Sequence, residues 1–239
     1  MKGVILAGGT GSRLRPLTSV TNKHLLPVFN KPMIYYPLES LIEAGIKEVL
    51  IVTGGENIGD FMKLLGSGKD FGIDITYRCQ DGSGGIPVAL SLAKEFTKEE
   101  KFVCILGDNV MEESLKSHVE DFQKSEKGAK ILLKKVKDPK RFGLAEIIDN
   151  RLVAAYEKPQ EPKTDLAIIG VYMLDKKAFE TITGLKPSKR GELEITEVVD
   201  SYIKNDDIDF SVIDGFWIDA GTFDSLFKAT DFIAKKRKK

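Results

Sequence analysis

The chain is poor in the residues that build soft-metal sites and covalent staples. Of its 239 residues, two are cysteine, two histidine and one tryptophan. Cys79 and Cys104 each sit inside an apolar strand-like run and form no CxxC pair, which speaks for burial and against a disulfide framework. His24 and His118 stand alone, so no His/Cys cluster offers a zinc site. Net charge is missing too, with 36 Lys plus Arg against 36 Asp plus Glu. A neutral protein has no general pull toward nucleic acid or anionic membrane, so neither is expected as a partner. No apolar run approaches membrane-spanning length, and the stretch before Gly8 is too short for a signal-peptide core. A cytoplasmic protein is expected. The terminal KKRKK reads as a solvated helix end without a function of its own.

What is present is an ordinary globular composition, 42% apolar and 30% charged. Strand-like runs at 2–7, 48–53, 73–79 and 102–106 alternate with helical patterns at 33–44, 58–65, 86–96 and 114–124. A further strand is expected at 130–136. Such β-then-α units imply a mostly parallel sheet flanked by helices. After residue 136 the rhythm changes. Runs at 144–148 and 152–156 flank Asp149-Asn150, a hairpin signal, and 167–174 follows as a third strand. Helices at 175–183 and 193–205, short strands at 210–213 and 216–218, and a closing helix at 223–236 complete the reading. Ligands in such sheets bind beyond the carboxyl ends of the strands, so the chemistry is expected there.

GGTGSRLRP follows the first strand, Gly8 to Pro16. Three glycines in four residues let backbone N–H groups approach a phosphate. A Walker loop would continue Gly-Lys-Ser/Thr, but Gly11 is followed by Ser12-Arg13. A dinucleotide fingerprint would want glycine at Leu14, and Pro16 opposes the helix it would open. Arg13 and Arg15 supply forked donors suited to phosphate oxygens. Glycines alone would read equally well as a tight turn; with Arg13 and then Lys23, in NKHLLPV, the phosphate reading prevails.

GGTGSRLRPLT followed by NKHLLPVFNKPMIYYPL resembles the signature of the glucose-1-phosphate thymidylyltransferases, within the nucleotidyltransferases that activate sugar 1-phosphates. It is one long ordered string, and similar segments reach nearly to the C-terminus. The resemblance implies a Rossmann-like mixed α/β sheet with an inserted antiparallel sugar-binding part. It makes 1–239 a single domain, with a nucleotide-binding core mainly at 1–136, a sugar-binding part mainly at 137–218 and a closing helix at 222–236. It implies that Arg13 and Lys23 hold the triphosphate, with Leu6, Gly8, Gly9 and Gly11 also at the nucleotide.

FVCILGDN and WIDAGT place Asp108 and Asp219 near strand ends, each followed soon by a turn. Two such aspartates with phosphate oxygens suit Mg2+, and the resemblance makes them the metal pair, Asp108 also touching nucleotide. Read alone, Asp219 could be a turn or helix N-cap. YEKP, RFGLAE, IIGVY and PSKRGELEIT resemble the family's sugar-side segments. They imply Glu157 and Gly143 at the sugar, Lys158 and Arg190 at its phosphate, and Ile168 and Tyr172 lining its pocket. In CQDGSGGIP, the Gln80 amide can pair with a pyrimidine imide. The family's matching residues correspond to Gln80 and Gly85. Val88 departs from the glutamine common in the family, and Ile169 from its threonine.

The implied reaction is Mg2+-dependent in-line attack of glucose 1-phosphate on dTTP, giving dTDP-glucose and pyrophosphate. No side-chain nucleophile is needed; alignment and charge suffice. Three alternatives compete: a UTP-using uridylyltransferase, a non-catalytic sugar-nucleotide sensor of the same fold, and a metal-dependent glycosyltransferase. The last would show Asp-x-Asp where Gly107-Asp108-Asn109 stands. Family members are commonly dimers or tetramers, so a homo-oligomer is an expectation. Longer members continue past the closing helix with helices that help form a regulatory site, so weak feedback at a separate site is expected.

Overall fold

The computed structural model describes residues 1–98 and 100–237, so the last two lysines of KKRKK lie outside the described residues. In chain order the first half runs β1 (Lys2–Ala7), β2 (Pro27–Val28), β3 (Lys31–Pro32), α1 (Tyr35–Glu43), β4 (Glu48–Gly54) and α2 (Ile58–Leu65). It continues with β5 (Asp74–Gln80), α3 (Ile86–Ser91), α4 (Lys94–Thr97), β6 (Phe102–Leu106), β7 (Asn109–Met111) and α5 (Lys116–Lys124). The second half gives β8 (Ala129–Lys135), β9 (Gly143–Ile148), β10 (Arg151–Glu157), β11 (Leu166–Leu174), α6 (Lys177–Gly184) and α7 (Ile195–Lys204). It ends with β12 (Ile208–Val212), β13 (Trp217–Asp219) and α8 (Phe223–Lys236).

The central sheet is ordered β10-β9-β11-β6-β1-β4-β5, with β8 pairing β11 and β12. Its middle is parallel: β1 lies between β4 and β6, and β5 extends β4 in the same sense. β11 runs antiparallel to β6, with Val171 opposite Ile105. The antiparallel part is therefore built onto the same sheet rather than standing as a separate layer. The chain leaves β1 toward β4 and β5 and returns on its other side with β6, a reversal that opens a crevice at the carboxyl ends.

Alternation along β1 buries both faces. Val4 and Leu6 join one core with Leu50, Leu90, Cys104, Phe179 and Val199. Ile5 and Ala7 join the other with Leu38, Leu41, Ile51, Phe61 and Phe122. A strand buried on both sides reads as the unbroken apolar run KGVILA. A third, small cluster of Val28, Met33, Val110, Ala220 and Ala229 ties α8 to β2 and β7.

One expected helix is broken. The run 86–96 divides into α3 and α4 at Leu92–Ala93, where Leu92 and Ala93 donate to carbonyls three residues back. Leu90 and Ala93 are both fully buried, so the tighter turn points two residues three apart into the core. Among the described residues no helix is long and apolar enough to cross a membrane.

Candidate active site

Beyond β1 the chain turns through Gly9 and Gly11, at φ 95° and 60°, into a 3-10 turn at Ser12–Leu14. Leu14 is fully buried and anchors that turn, which leaves Arg13 exposed. A side chain at Gly11 would meet Thr18 at 2.8 Å and the Lys23 Cβ at 3.2 Å, so the glycine lets the turn after β1 and the Lys23 turn close on each other. Gly8 likewise leaves room for Gln80, whose Oε1 would lie 3.0 Å from a Cβ there.

Lys23 opens a further 3-10 turn, Lys23–Leu25, capped by Asn22. The Asn22 Oδ1 accepts from the His24 N–H at 2.9 Å and lies 2.7 Å from His24 Nδ1. An amide oxygen only accepts, so Nδ1 carries the hydrogen. Burial, then the neighbouring Lys23 charge, press the His24 ring down to about 3, and it is neutral.

The two aspartates meet through a two-stranded ladder. β13 pairs antiparallel with β7, setting Asp219 opposite Asn109, and the Ala220 N–H donates to the Asp108 carbonyl at 2.9 Å. Asp219 thus lies at the end of β13, and α8 is capped not by it but by Thr222 in a capping box with Ser225. Asp219 Oδ1 accepts from the Gly221 N–H at 2.8 Å, and Arg13 stands 4.0 Å from its Oδ2. A Cβ at Gly221 would lie 2.7 Å from Asp219 Oδ1, 3.0 Å from Arg13 and 3.5 Å from Asp108 Oδ2, so the three groups converge on one point.

Lys23 is ion-paired with Asp108 Oδ2. Burial works against the Lys23 charge, but the Asp108 carboxylate outweighs it and lifts the ammonium above its usual value. Burial also opposes ionisation of Asp108, yet the Lys23 charge and hydrogen bonds from Lys23 and Asn109 hold its carboxyl well below the usual range. Asp219 goes the other way, pushed up by burial and then by the Asp108 charge. A hard divalent cation would relieve that repulsion, and two carboxylates completed by phosphate oxygens are a suitable donor set. Among the described residues no group of three or more His, Cys, Asp or Glu is arranged to hold a metal ion.

Asn109 and Trp217, not singled out in the sequence, brace this pair. Asn109 Nδ2 donates to Asp108 Oδ1 at 3.1 Å, while its Oδ1 accepts from Trp217 Nε1 at 2.6 Å and from the Gly170 N–H at 3.2 Å. Their signal was position: Asn109 follows Asp108, and Trp217 stands two residues before Asp219.

Gln80 ends β5 and is buried. Gly85 has φ 89°, and a Cβ there would lie 2.2 Å from the Leu193 carbonyl oxygen; the Leu193 N–H donates to the Gly84 carbonyl at 3.0 Å. The loop after β5 and the 188–194 loop are therefore seated on each other. Glu157 Oε1 meets Arg190 at 3.0 Å and Lys158 at 3.2 Å, and its Oε2 accepts from Thr196 at 3.2 Å. Arg190 also pairs with Glu192 and Glu194, so three carboxylates share one guanidinium. Gly143 lies beside this group, where a Cβ would be 2.7 Å from Thr196 and 3.5 Å from Glu157. Ile168 and Tyr172 are buried in the core, the Tyr172 hydroxyl pushed up by burial and then by the Glu157 charge.

A cleft of about 640 Å³ at the carboxyl edge gathers Leu6, Gly8, Gly9, Arg13, Lys23, Gln80, Gly85, Asp108 and Lys158. Asn22, His24, Glu56, Asn57 and Glu192 join them unanticipated. Glu56 and Asn57 follow β4, so the strand-end rule that found Asp108 could have found them. Gly11, Gly143, Glu157, Ile168, Tyr172, Arg190 and Asp219 do not line this cleft.

A family model described as nucleotidyl transferase matches residues 2–236. The glucose-1-phosphate thymidylyltransferase of Neisseria meningitidis is 42% identical over 237 residues, covering 98% of this chain and 82% of that protein. A low-salt glycan biosynthesis nucleotidyltransferase of Haloferax volcanii is 41% identical over 239 residues, 99% of this chain and 67% of that protein. A Bacillus anthracis crystal structure in complex with sucrose, provisionally assigned as a glucose-1-phosphate thymidylyltransferase, superposes with a TM-score of 0.93 at 48% identity, covering 97% of this chain and 94% of that one. A UDP-glucose pyrophosphorylase in complex with UDP-glucose gives 0.89 at 25% identity, over 98% of both chains. With a glycine-rich turn after β1, two aspartates brought together by the β7–β13 ladder and a family match across nearly its whole length, the chain belongs to the nucleotidyl transferase family of enzymes.

Proposed function

We propose that the enzyme transfers the thymidylyl group of dTTP to glucose 1-phosphate, giving dTDP-glucose and pyrophosphate with Mg2+. Nucleotidyl transferases generally act with a divalent metal. One observation carries the reading: a single cleft collects a pyrimidine-competent amide, Gln80, with two phosphate-seeking cations, Arg13 and Lys23, and the carboxylate of Asp108.

The sugar phosphate oxygen attacks the α-phosphorus of dTTP; the new P–O bond forms as the bond to pyrophosphate breaks on the opposite side. Arg13 and Lys23 orient the triphosphate and take up charge on the leaving pyrophosphate. Lys158 and Arg190 bring in the sugar phosphate, and the latter gives up part of its carboxylate pairing to do so. Glu157 accepts sugar hydroxyls beside Gly143, with Ile168 and Tyr172 as the wall behind. Asp108 and Asp219 are the residues that would hold Mg2+, which supplies neutralising charge to the phosphate oxygens. Gln80 presents one donor and one acceptor to the thymine imide, with Gly85 at the edge. The same reading sets the reaction in the cytoplasm.

The likeness to a UDP-glucose pyrophosphorylase keeps UTP in view as a second nucleotide. Val88 carries no polar group toward the base side and instead packs on Gly84, where a Cβ would meet it at 2.7 Å. Pyrophosphate release from glucose 1-phosphate with dTTP, UTP, ATP and GTP tests the reading. We expect dTTP first, UTP measurable and purines poor. Thymine and uracil differ by a methyl worth about 1–3 kcal/mol in an apolar pocket, whereas a mispaired purine leaves Gln80 unsatisfied. Comparable kcat/KM for a purine would reject the Gln80 role.

A further inference from the structure

Asn22 is 5% exposed and lies where three segments of the cleft meet. Its Nδ2 donates to the Ala7 carbonyl at 3.2 Å and reaches Asn57 Oδ1 at 3.5 Å. Its Oδ1 serves the His24 N–H and His24 Nδ1. A primary amide has two N–H donors and one oxygen with two lone pairs, so each of its four places is taken by protein. No place is left for a ligand.

The partners are informative. Ala7 ends β1 immediately before the glycine loop, and Asn57 follows β4. The His24 N–H belongs to the turn that Lys23 opens. The His24 ring lies against Gly107, where a Cβ would meet its Cδ2 at 2.7 Å, and Gly107 immediately precedes Asp108. One amide therefore ties the Lys23 turn to the rigid end of the central strand and wedges a neutral ring beside the Lys23–Asp108 pair. A flexible lysine is useful for aligning phosphate only if its backbone is fixed, and a misplacement of about 1 Å at such a group can cost on the order of a hundredfold in rate.

We propose that Asn22 is a positioning residue that aims Lys23 at the triphosphate, without touching substrate itself. The role rests on the thymidylyl-transfer reading above. Its test is a double-mutant cycle in the pyrophosphate-release assay, with Asn22→Ala, Lys23→Ala and the pair. Asn22→Ala should lower kcat by roughly ten- to a hundredfold, with KM for glucose 1-phosphate little changed. In the Lys23→Ala background the same substitution should have almost no further effect, because residues acting through one group are not additive. Asn22→Ser keeps a capping oxygen in less space and serves the same cycle if the alanine variant folds poorly by circular dichroism. Asn22→Asp keeps the acceptor but cannot donate to Ala7, so it should fail to restore kcat; full activity there would show that capping alone suffices and overturn the tie to β1. Undiminished kcat in a folded Asn22→Ala enzyme, or an equal loss with and without Lys23, would also overturn the proposal. Inactivity of the wild-type enzyme on dTTP and glucose 1-phosphate would instead refute the underlying reaction.

Discussion

The Lys23 ammonium is paired with the Asp108 carboxylate, both largely buried, so a cation suited to phosphate and an anion suited to metal satisfy each other. On the proposed reaction, binding of a metal–triphosphate would exchange this pair for two new ones.

Replacing Lys23 with alanine is expected to lower turnover by about 10²–10³. Breaking one side of a buried pair also costs up to about 3–5 kcal/mol, so the variant should unfold at lower temperature. Added Mg2+ should raise its midpoint more than that of the wild type, because the cation replaces the missing charge on Asp108. Equal metal effects on the two melting curves would show that Asp108 is not where the ion acts.

Asp108→Asn and Asp219→Asn should each weaken metal-supported activity and shift the metal titration upward, and EDTA should silence the wild type. Without metal the two should differ in stability. Asp108→Asn strands the Lys23 charge, while Asp219→Asn removes the repulsion that pushes Asp219 up. A metal titration unchanged from wild type in either variant removes that aspartate from the ligand set.

His24 makes stability depend on pH. Its ring titrates at about 3 in the folded protein against an ordinary 6.5, so the unfolded chain takes up a proton the native state refuses. A depressed pKa means its contribution is whole above pH 6.5 and drains away as the pH falls from there toward 3. Urea unfolding at pH 7.5, 6 and 5 should show this decline, and His24→Gln should have a shallower one. Parallel pH profiles would place the titrating group elsewhere.

Gly85→Ala should be more damaging than Gly9→Ala. Both glycines have positive φ, 89° and 95°, a strain of about 1–3 kcal/mol for alanine. Only Gly85 also faces a backbone atom, the Leu193 oxygen at 2.2 Å from a new Cβ, while Gly9 meets nothing within 4 Å. The Gly85 variant should therefore raise KM for both nucleotide and sugar phosphate, since displacing Leu193 moves the loop that carries Arg190. Equal denaturation midpoints for the two variants would contradict this.

Local signals were easily read. β1, β6, α2 and α8 have the ends expected of them because unbroken apolar runs or clean helical spacing sit between clear boundaries. The shared cleft of Gly8, Gln80 and Asp108 was legible for a related reason: all three stand at strand ends, and adjacency in sequence became adjacency in space. Pairings between distant segments were not legible. Nothing near Asp219 announces that β13 will lie on β7, and nothing near Gly85 announces the Leu193 carbonyl. The resemblance sets Arg190 at a sugar phosphate, and nothing in its segment announces that Glu157 reaches it from β10 to join Glu192 and Glu194. Asn22 carries no such signal because two of its four partners are backbone groups and a third is Asn57, distant in sequence.

The β7–β13 ribbon also has a consequence for how the molecule is born. All nine strands of the central sheet lie between Lys2 and Val212, whereas Asp219 arrives afterwards. A nascent chain that had emerged from the ribosome only as far as Val212 could assemble its whole scaffold with one of the two aspartates in hand. The ladder between Trp217–Asp219 and Asn109–Met111 would then form on a sheet already built, so that Asp219 is brought beside Asp108 only after the scaffold exists.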